Sequence, residues 1–168
     1  LDMPSSQMMS FPTELTLRTT NEGVRIFSEP IEAITTLHAK THDLSGLSIK
    51  EANKKLEAID HDLLHVVLQI ESLNGQGVSV DYKGNKYVSA DADQINDQQT
   101  PQINPGKLLF DIEMLIDRTS VESFINKGQI VFVKPLAKGK KEIGLEIHGN
   151  TNEVKIHSLL IHELKSAW

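Results

Sequence analysis

Apolar residues recur at every second position through most of this chain, and that period decides what it can fold into. Leu108, Phe110, Ile112, Met114 and Ile116 alternate with Leu109, Asp111, Glu113, Leu115 and Asp117. One face of such a segment is apolar and the other mostly polar, the pattern of a strand buried on one side. Leu64, Val66, Leu68 and Ile70 repeat it, with His65, Val67, Gln69 and Glu71 between them, and Val78, Val80 and Tyr82 repeat it again. Ile143, Leu145 and Ile147 alternate with Gly144, Glu146 and His148. Val154 and Ile156 open a further run, whose phase changes near Ser158 before Leu159 and Ile161. A change of phase within a strand predicts a bulge or bend.

Turn signals separate these runs. Lys83-Gly84-Asn85 and Asn126-Lys127-Gly128 read as tight hairpins, because Asn and Gly accept positive φ at little cost. Asn74-Gly75-Gln76-Gly77 and Gly149-Asn150-Thr151-Asn152 are looser connections. Lys50–Ile59 contains good helix formers and fits one or two helical turns, or an irregular approach to a strand. Ser89–Lys107 is rich in Asp, Gln and Asn, contains Pro101 and Pro105, and reads as a long surface loop. Short strands at this spacing, in a chain of 168 residues, predict one antiparallel β-sandwich. Leu15 and Leu17, then Thr19 to Gly23, then Val24 and Ile26, predict a hairpin ahead of it, and Ile31–Leu37 a short connecting element. The expected organisation is a linker hairpin over 1–36 and the sandwich over 37–168.

Composition removes several classes of function. There is no cysteine, so disulfide scaffolds, thiolate zinc sites and cysteine nucleophiles are excluded. The net charge is −6, and the densest basic cluster, Lys138, Lys140 and Lys141, is short and flanked by Gly139 and Glu142. A nucleic-acid partner, which needs a basic face, is not expected. No apolar run approaches the roughly 18 residues that span a bilayer. The first residue is Leu and no leader pattern opens the chain, so a processed protein or an excised fragment is expected.

Three segments together resemble the C-terminal β-sandwich of glycoside hydrolase family 32, the enzymes acting on levan, inulin and sucrose. Ser10-Phe11-Pro12-Thr13-Glu14-Leu15-Thr16-Leu17-Arg18-Thr19-Thr20, followed by Glu22-Gly23-Val24-Arg25, resembles the stretch where the family's chain leaves its catalytic propeller. Ile116-Asp117-Arg118-Thr119-Ser120-Val121-Glu122-Ser123-Phe124-Ile125-Asn126-Lys127-Gly128 is similar to the family's Asp-Arg-containing hairpin. Leu159 to Trp168 is similar to the family's closing segment. Ser123 and Lys127 depart from the pattern, and Val78–Asp93 matches it poorly.

The resemblance implies an all-β, jelly-roll or concanavalin-like sandwich whose partner is an N-terminal five-bladed propeller of the same parent chain. A second copy of the chain is a further partner to consider. The parent implied is a bacterial glycosidase, secreted or periplasmic. The family's Asn-Asp-Pro-Asn, Arg-Asp-Pro and Glu-Cys motifs do not occur here, so no catalytic residue is assigned and the chain alone is expected not to be an enzyme. Retaining hydrolysis needs two carboxylates about 5 Å apart. In a continuous strand Asp117 and Glu122 would stand about 16 Å apart on opposite faces.

For a function of the module itself, the resemblance implies two readings: a structural domain that stabilises the propeller, or a fructose- or fructan-binding module similar to carbohydrate-binding module family 66. An unrelated jelly-roll lectin is a third, weaker reading. Candidate sugar contacts are Asp117, Arg118, Glu122 and Tyr82, since guanidinium and carboxylate groups form strong directional hydrogen bonds. The plainer reading of Asp117 to Glu122 is an ion-paired Arg holding a bend, and it is preferred. Trp168 is expected to pack against the sandwich or the propeller. No cofactor is expected. The seven histidines show no ligand spacing, and Asp91, Asp93 and Asp97 lack the Gly and terminal Glu of a calcium loop, so no metal site is expected.

Overall fold

The computed structural model describes residues 10–20, 23–73, 77–90, 102–104, 107–137, 144–150 and 152–166. The reading of Asp91, Asp93 and Asp97, the Lys138–Lys141 cluster and Trp168 fall outside them.

The strands predicted from the alternation form two sheets facing one another. The larger contains β3 (His38–Asp43), β4 (Leu64–Leu73), β8 (Lys107–Ile116), β9 (Ser120–Ile125), β10 (Ile130–Pro135) and β12 (Val154–Leu164). Its order is β10-β9-β8-β4-β12-β3, with β7 (Gln102–Asn104) paired to β8. The smaller sheet is β11 (Leu145–His148), β5 (Val78–Tyr82) and β6 (Asn85–Ala90), in the order β11-β5-β6. Every pairing is antiparallel. The fold is an all-β sandwich.

Its core is the set of residues that the period of two places on one face. Val66, Leu68, Ile70, Phe110, Ile112 and Met114 from the large sheet meet Val78, Val80, Val88, Leu145 and Ile147 from the small one, all buried. The phase change near Ser158 is a bulge: Ile156 pairs with Ile70 and Ser158 with Gln69, leaving His157 unpaired between them. One extra residue there keeps Ile156, Leu159 and Ile161 all on the core side. Both predicted hairpins form, with positive φ at Lys83 and Gly84 in the β5–β6 turn and at Asn126, Lys127 and Gly128 in the β9–β10 turn; the lysines take that conformation as well as the expected Asn and Gly, and Asn85 does not.

Of the two readings of Lys50–Ile59, the helix holds. It is α1 (Ile49–Leu56), started by a reciprocal capping box between Ser48 and Glu51. Its apolar face, Ile49, Ala52 and Leu56, closes one end of the core. On α1, Asn53 both donates to and accepts from the backbone of Ile147, which covers the edge of β11. The Ser89–Lys107 loop needs correcting: β6 runs to Ala90, and Gln102–Asn104 add a short strand beside β8.

Ahead of the sandwich, β1 (Thr13–Thr20) and β2 (Gly23–Pro30) form their own two-stranded sheet. A 3-10 helix, Glu32–Leu37, then leads into β3. This arm lies on the outer face of the large sheet, where Phe11 and Ile34 pack on Leu115 and Phe124 in a second apolar cluster. The amide of Phe11 donates to Glu122 Oε1 at 2.8 Å, and that of Ser28 to the Gly128 carbonyl at 3.0 Å.

Candidate functional site

The Asp117-Arg118-Thr119 string is a reversal between β8 and β9, not one strand segment. The Asp117 amide donates to the Ser120 carbonyl at 2.9 Å, and the Arg118 amide to Asp117 Oδ1 at 2.6 Å. Ile116 therefore pairs with Val121 and Leu115 with Glu122. This corrects the strand separation of Asp117 and Glu122: the turn folds the second carboxylate back beside the first. Their charges interact, and the Asp117 carboxylate adds to the effect of burial in pushing Glu122 above the usual carboxylate range. The hydrogen bond from Phe11 works against that rise. Glu122 is 1% exposed and spends one oxygen on that amide, so it holds the N-terminal arm and does not face solvent.

Arg118 is exposed, and among the described residues it forms no ion pair, so the ion-paired reading of the bend does not hold. It stands between two grooves at one end of the sandwich. One, of about 300 Å³, includes Asp117, Thr119 and Lys165; the other, of about 560 Å³, includes Asp60, Asp62 and Lys165. Hydrogen bonding to Lys83, 2.9 Å away, holds Asp62 below the ordinary carboxylate range. Tyr82 is placed differently. Only 1% exposed, it belongs to the core, and burial raises its phenol pKa. Of the four residues singled out as sugar contacts, Asp117 and Arg118 thus line a groove at the surface end, while Glu122 and Tyr82 are interior.

A cluster that sequence spacing did not reveal lies on the outer face of the large sheet. His65 on β4 is directly opposite His162 on β12, and His38 begins β3, beyond β12. His38 Nε2 is 3.0 Å from His65 Nδ1. The His38 and His162 rings stack, with centroids 3.8 Å apart and planes 8° apart. Glu113 Oε1 is 2.7 Å from His65 Nε2, and Thr41 Oγ1 is 2.8 Å from His162 Nδ1. Burial, then the neighbouring His38 and His65, bring His162 down to about 4. Burial and His65 also lower His38. The sequence shows only that His65 and His162 fall on the polar phase of their strands; that they are nevertheless 5% and 9% exposed is visible only in the structure.

No family model matches the chain. It is 26% identical to a levanase of Bacillus subtilis strain 168 over 99% of its own length and 29% of the levanase. With a levanase of Bacillus sp. strain L7 it shares 23% identity, over 95% of this chain and 20% of that protein. The chain thus spans less than a third of the curated relatives it matches.

Among solved structures, the exo-inulinase of Aspergillus awamori superposes with a TM-score of 0.66 at 13% identity, over 99% of this chain and 38% of the inulinase. The fructofuranosidase of Schwanniomyces occidentalis, in complex with fructose, gives 0.64 at 13%, over 94% and 40%. At that identity the likeness shows the fold. The levanase homology and these neighbours together fit a C-terminal domain of glycoside hydrolase family 32. The neighbours carry an N-terminal domain in their own chains.

Proposed function

We propose that this chain is the non-catalytic β-sandwich module of a fructan-hydrolysing glycosidase, with residues 1–36 as the linker that joins its catalytic propeller and β1–β2 as the face that seats on it. One observation carries this reading. Leu15, Leu17, Val24 and Ile26 are 59–72% exposed and lie on the same face of the hairpin, Leu17 directly opposite Ile26. The reverse face, which includes Thr16, Arg18, Phe27 and Glu29, is largely closed off from solvent, although the Thr16 hydroxyl on it is buried without a hydrogen-bond partner among the described residues. Arg18 pairs with Glu29, its guanidinium lies 4.6 Å from the centroid of the Phe27 ring, and Phe27 is buried.

An aliphatic side chain gains roughly 1.5–3 kcal/mol on full burial, so covering four that are about two-thirds exposed yields on the order of 4–8 kcal/mol before the costs of docking. That is enough to hold a covalently tethered domain in place. The parent enzyme carrying Leu17→Asp and Ile26→Asp tests it. Its catalytic domain should melt at lower temperature, while this module, probed alone, keeps its stability. An unchanged melting temperature of the catalytic domain would sink the reading.

Fructose or fructan binding is the second reading, favoured by one feature: the exposed Arg118 stands between grooves lined by Asp60, Asp62 and Asp117. Titration calorimetry with fructose, inulin and levan, on wild type and Arg118→Ala, decides it. No heat at millimolar ligand removes this reading.

A further inference from the structure

We propose that His38, His65 and His162 form a binding site for one divalent transition-metal ion of the zinc type. The proposal is independent of the docking and sugar-binding readings. One nitrogen from each ring lies within 4.8 Å of the other two. A tetrahedral ion with bonds of about 2.0–2.1 Å separates its ligands by about 3.3 Å. The difference is on the order of 1 Å, within reach of side-chain torsions and without moving a strand.

The surroundings assign the ligand atoms. Glu113 takes the Nε2 side of His65, which leaves Nδ1 pointing toward His38. Thr41 takes the Nδ1 side of His162, which leaves its Nε2. The third ligand is His38 Nε2, already 3.0 Å from His65 Nδ1. A carboxylate on the far nitrogen of a ligating imidazole fixes its tautomer and raises its basicity, the usual outer-shell arrangement of such sites. In the apo state one proton sits between His38 Nε2 and His65 Nδ1. On binding, His38 carries its proton on Nδ1 instead, so three neutral imidazoles face the ion and no redox step is involved.

Three imidazoles without a thiolate or a carboxylate in the first ring of ligands select zinc, nickel or copper over calcium and magnesium. The strand registers give the ion a mechanical consequence. It would tie the edge strand β3 to β12 and β4, and His38 directly follows the 3-10 helix that leads from the hairpin. The ion would therefore clamp the base of the N-terminal arm.

The test uses the chain stripped of metal with chelator, dialysed and titrated with zinc sulfate at pH 7.5 by calorimetry, with calcium chloride as the comparison. The expected result is one zinc per chain with a dissociation constant below about 10 µM, a higher melting temperature with zinc, and no calcium heat. Cobalt at the same site should give the visible absorption of a tetrahedral complex.

His162→Gln should abolish binding. His38→Gln, at the partly exposed start of an edge strand, should do the same while the circular dichroism spectrum stays that of the wild type. Glu113→Gln should weaken binding about 10- to 100-fold, and His148→Gln should leave it unchanged. Zinc uptake that survives in His38→Gln and His162→Gln overturns the proposal. So does the absence of uptake at 100 µM zinc (about ten times the expected constant), which would leave a hydrogen-bonded histidine cluster only.

Discussion

Replacing Gly128 with Ala separates two costs that usually occur together. Gly128 has φ +73° and Gly46 has φ +72°, so a Cβ strains the backbone similarly at both. Around Gly46 nothing lies within 4 Å of the added atom, whereas at Gly128 that atom would sit 1.7 Å from the Ser28 carbonyl oxygen and 2.4 Å from its carbon. Backbone atoms cannot rotate away, so β2 must withdraw from the β9–β10 turn. Gly46→Ala should then cost about 1 kcal/mol of strain. Gly128→Ala costs the same strain, plus about 1 kcal/mol for the lost Ser28–Gly128 hydrogen bond. Partial exposure of the apolar seat under the arm, where Phe11 and Ile34 meet Leu115 and Phe124, adds about another 1–2 kcal/mol.

At roughly 2–4 °C per kcal/mol for a domain of this size, Gly46→Ala should melt about 2–4 °C below wild type and Gly128→Ala about 6–16 °C below. Thermal unfolding followed by circular dichroism reads both. Hydrogen exchange adds a local readout, since the Ser28 amide should lose its protection in Gly128→Ala alone. Equal melting temperatures for the two variants would show that the arm does not rest on this turn, and the reasoning would fail.

Two further outcomes follow from the packing. Ser48→Ala removes the side-chain half of the capping box on α1 and should cost about 1 kcal/mol, a fall of about 2–4 °C in melting temperature. Glu122 has its pKa raised in the folded chain, chiefly by burial, so it favours folding when protonated and that advantage disappears as pH rises through the raised value. Glu122→Gln keeps an acceptor for the Phe11 amide and carries no charge. Its urea stability relative to wild type should therefore be higher at pH 7.5 than at pH 4.5, and a difference independent of pH counts against a buried carboxylate there.

Much of the sandwich was legible because burial on one face writes itself into the sequence at a period of two. Residues 64–70, 78–82 and 108–116 alternate as their strands do, and the bulge at His157 appeared as a slip of phase. Both tight turns were legible because Gly84, Asn126 and Gly128 accept positive φ at little cost, whereas the positive φ of Lys83 and Lys127 could not have been read from residue type. The short strand Gln102–Asn104 was not, since three polar-flanked residues carry no period and exist as a strand only because β8 offers an edge. The candidate site was legible in part. Arg118 stood out in the sequence, but its surroundings, Asp60, Asp62 and Lys165, come from distant loops and the end of the last strand. Tyr82 was ambiguous because a phenol in an alternating run reads equally as a platform or as core, and the small sheet turns it inward.

What the sequence alone determined is local: the strand period, the turns and three motif segments whose order carries the family resemblance. What the tertiary structure decided is everything that depends on strand order. A hairpin brings Glu122 back beside Asp117, and the neighbouring of β3, β12 and β4 gathers His38, His65 and His162 from across the chain. Side-chain periodicity records which face of a strand is buried and carries no information about which strand lies next to it. That choice is made by the packing of the whole sandwich.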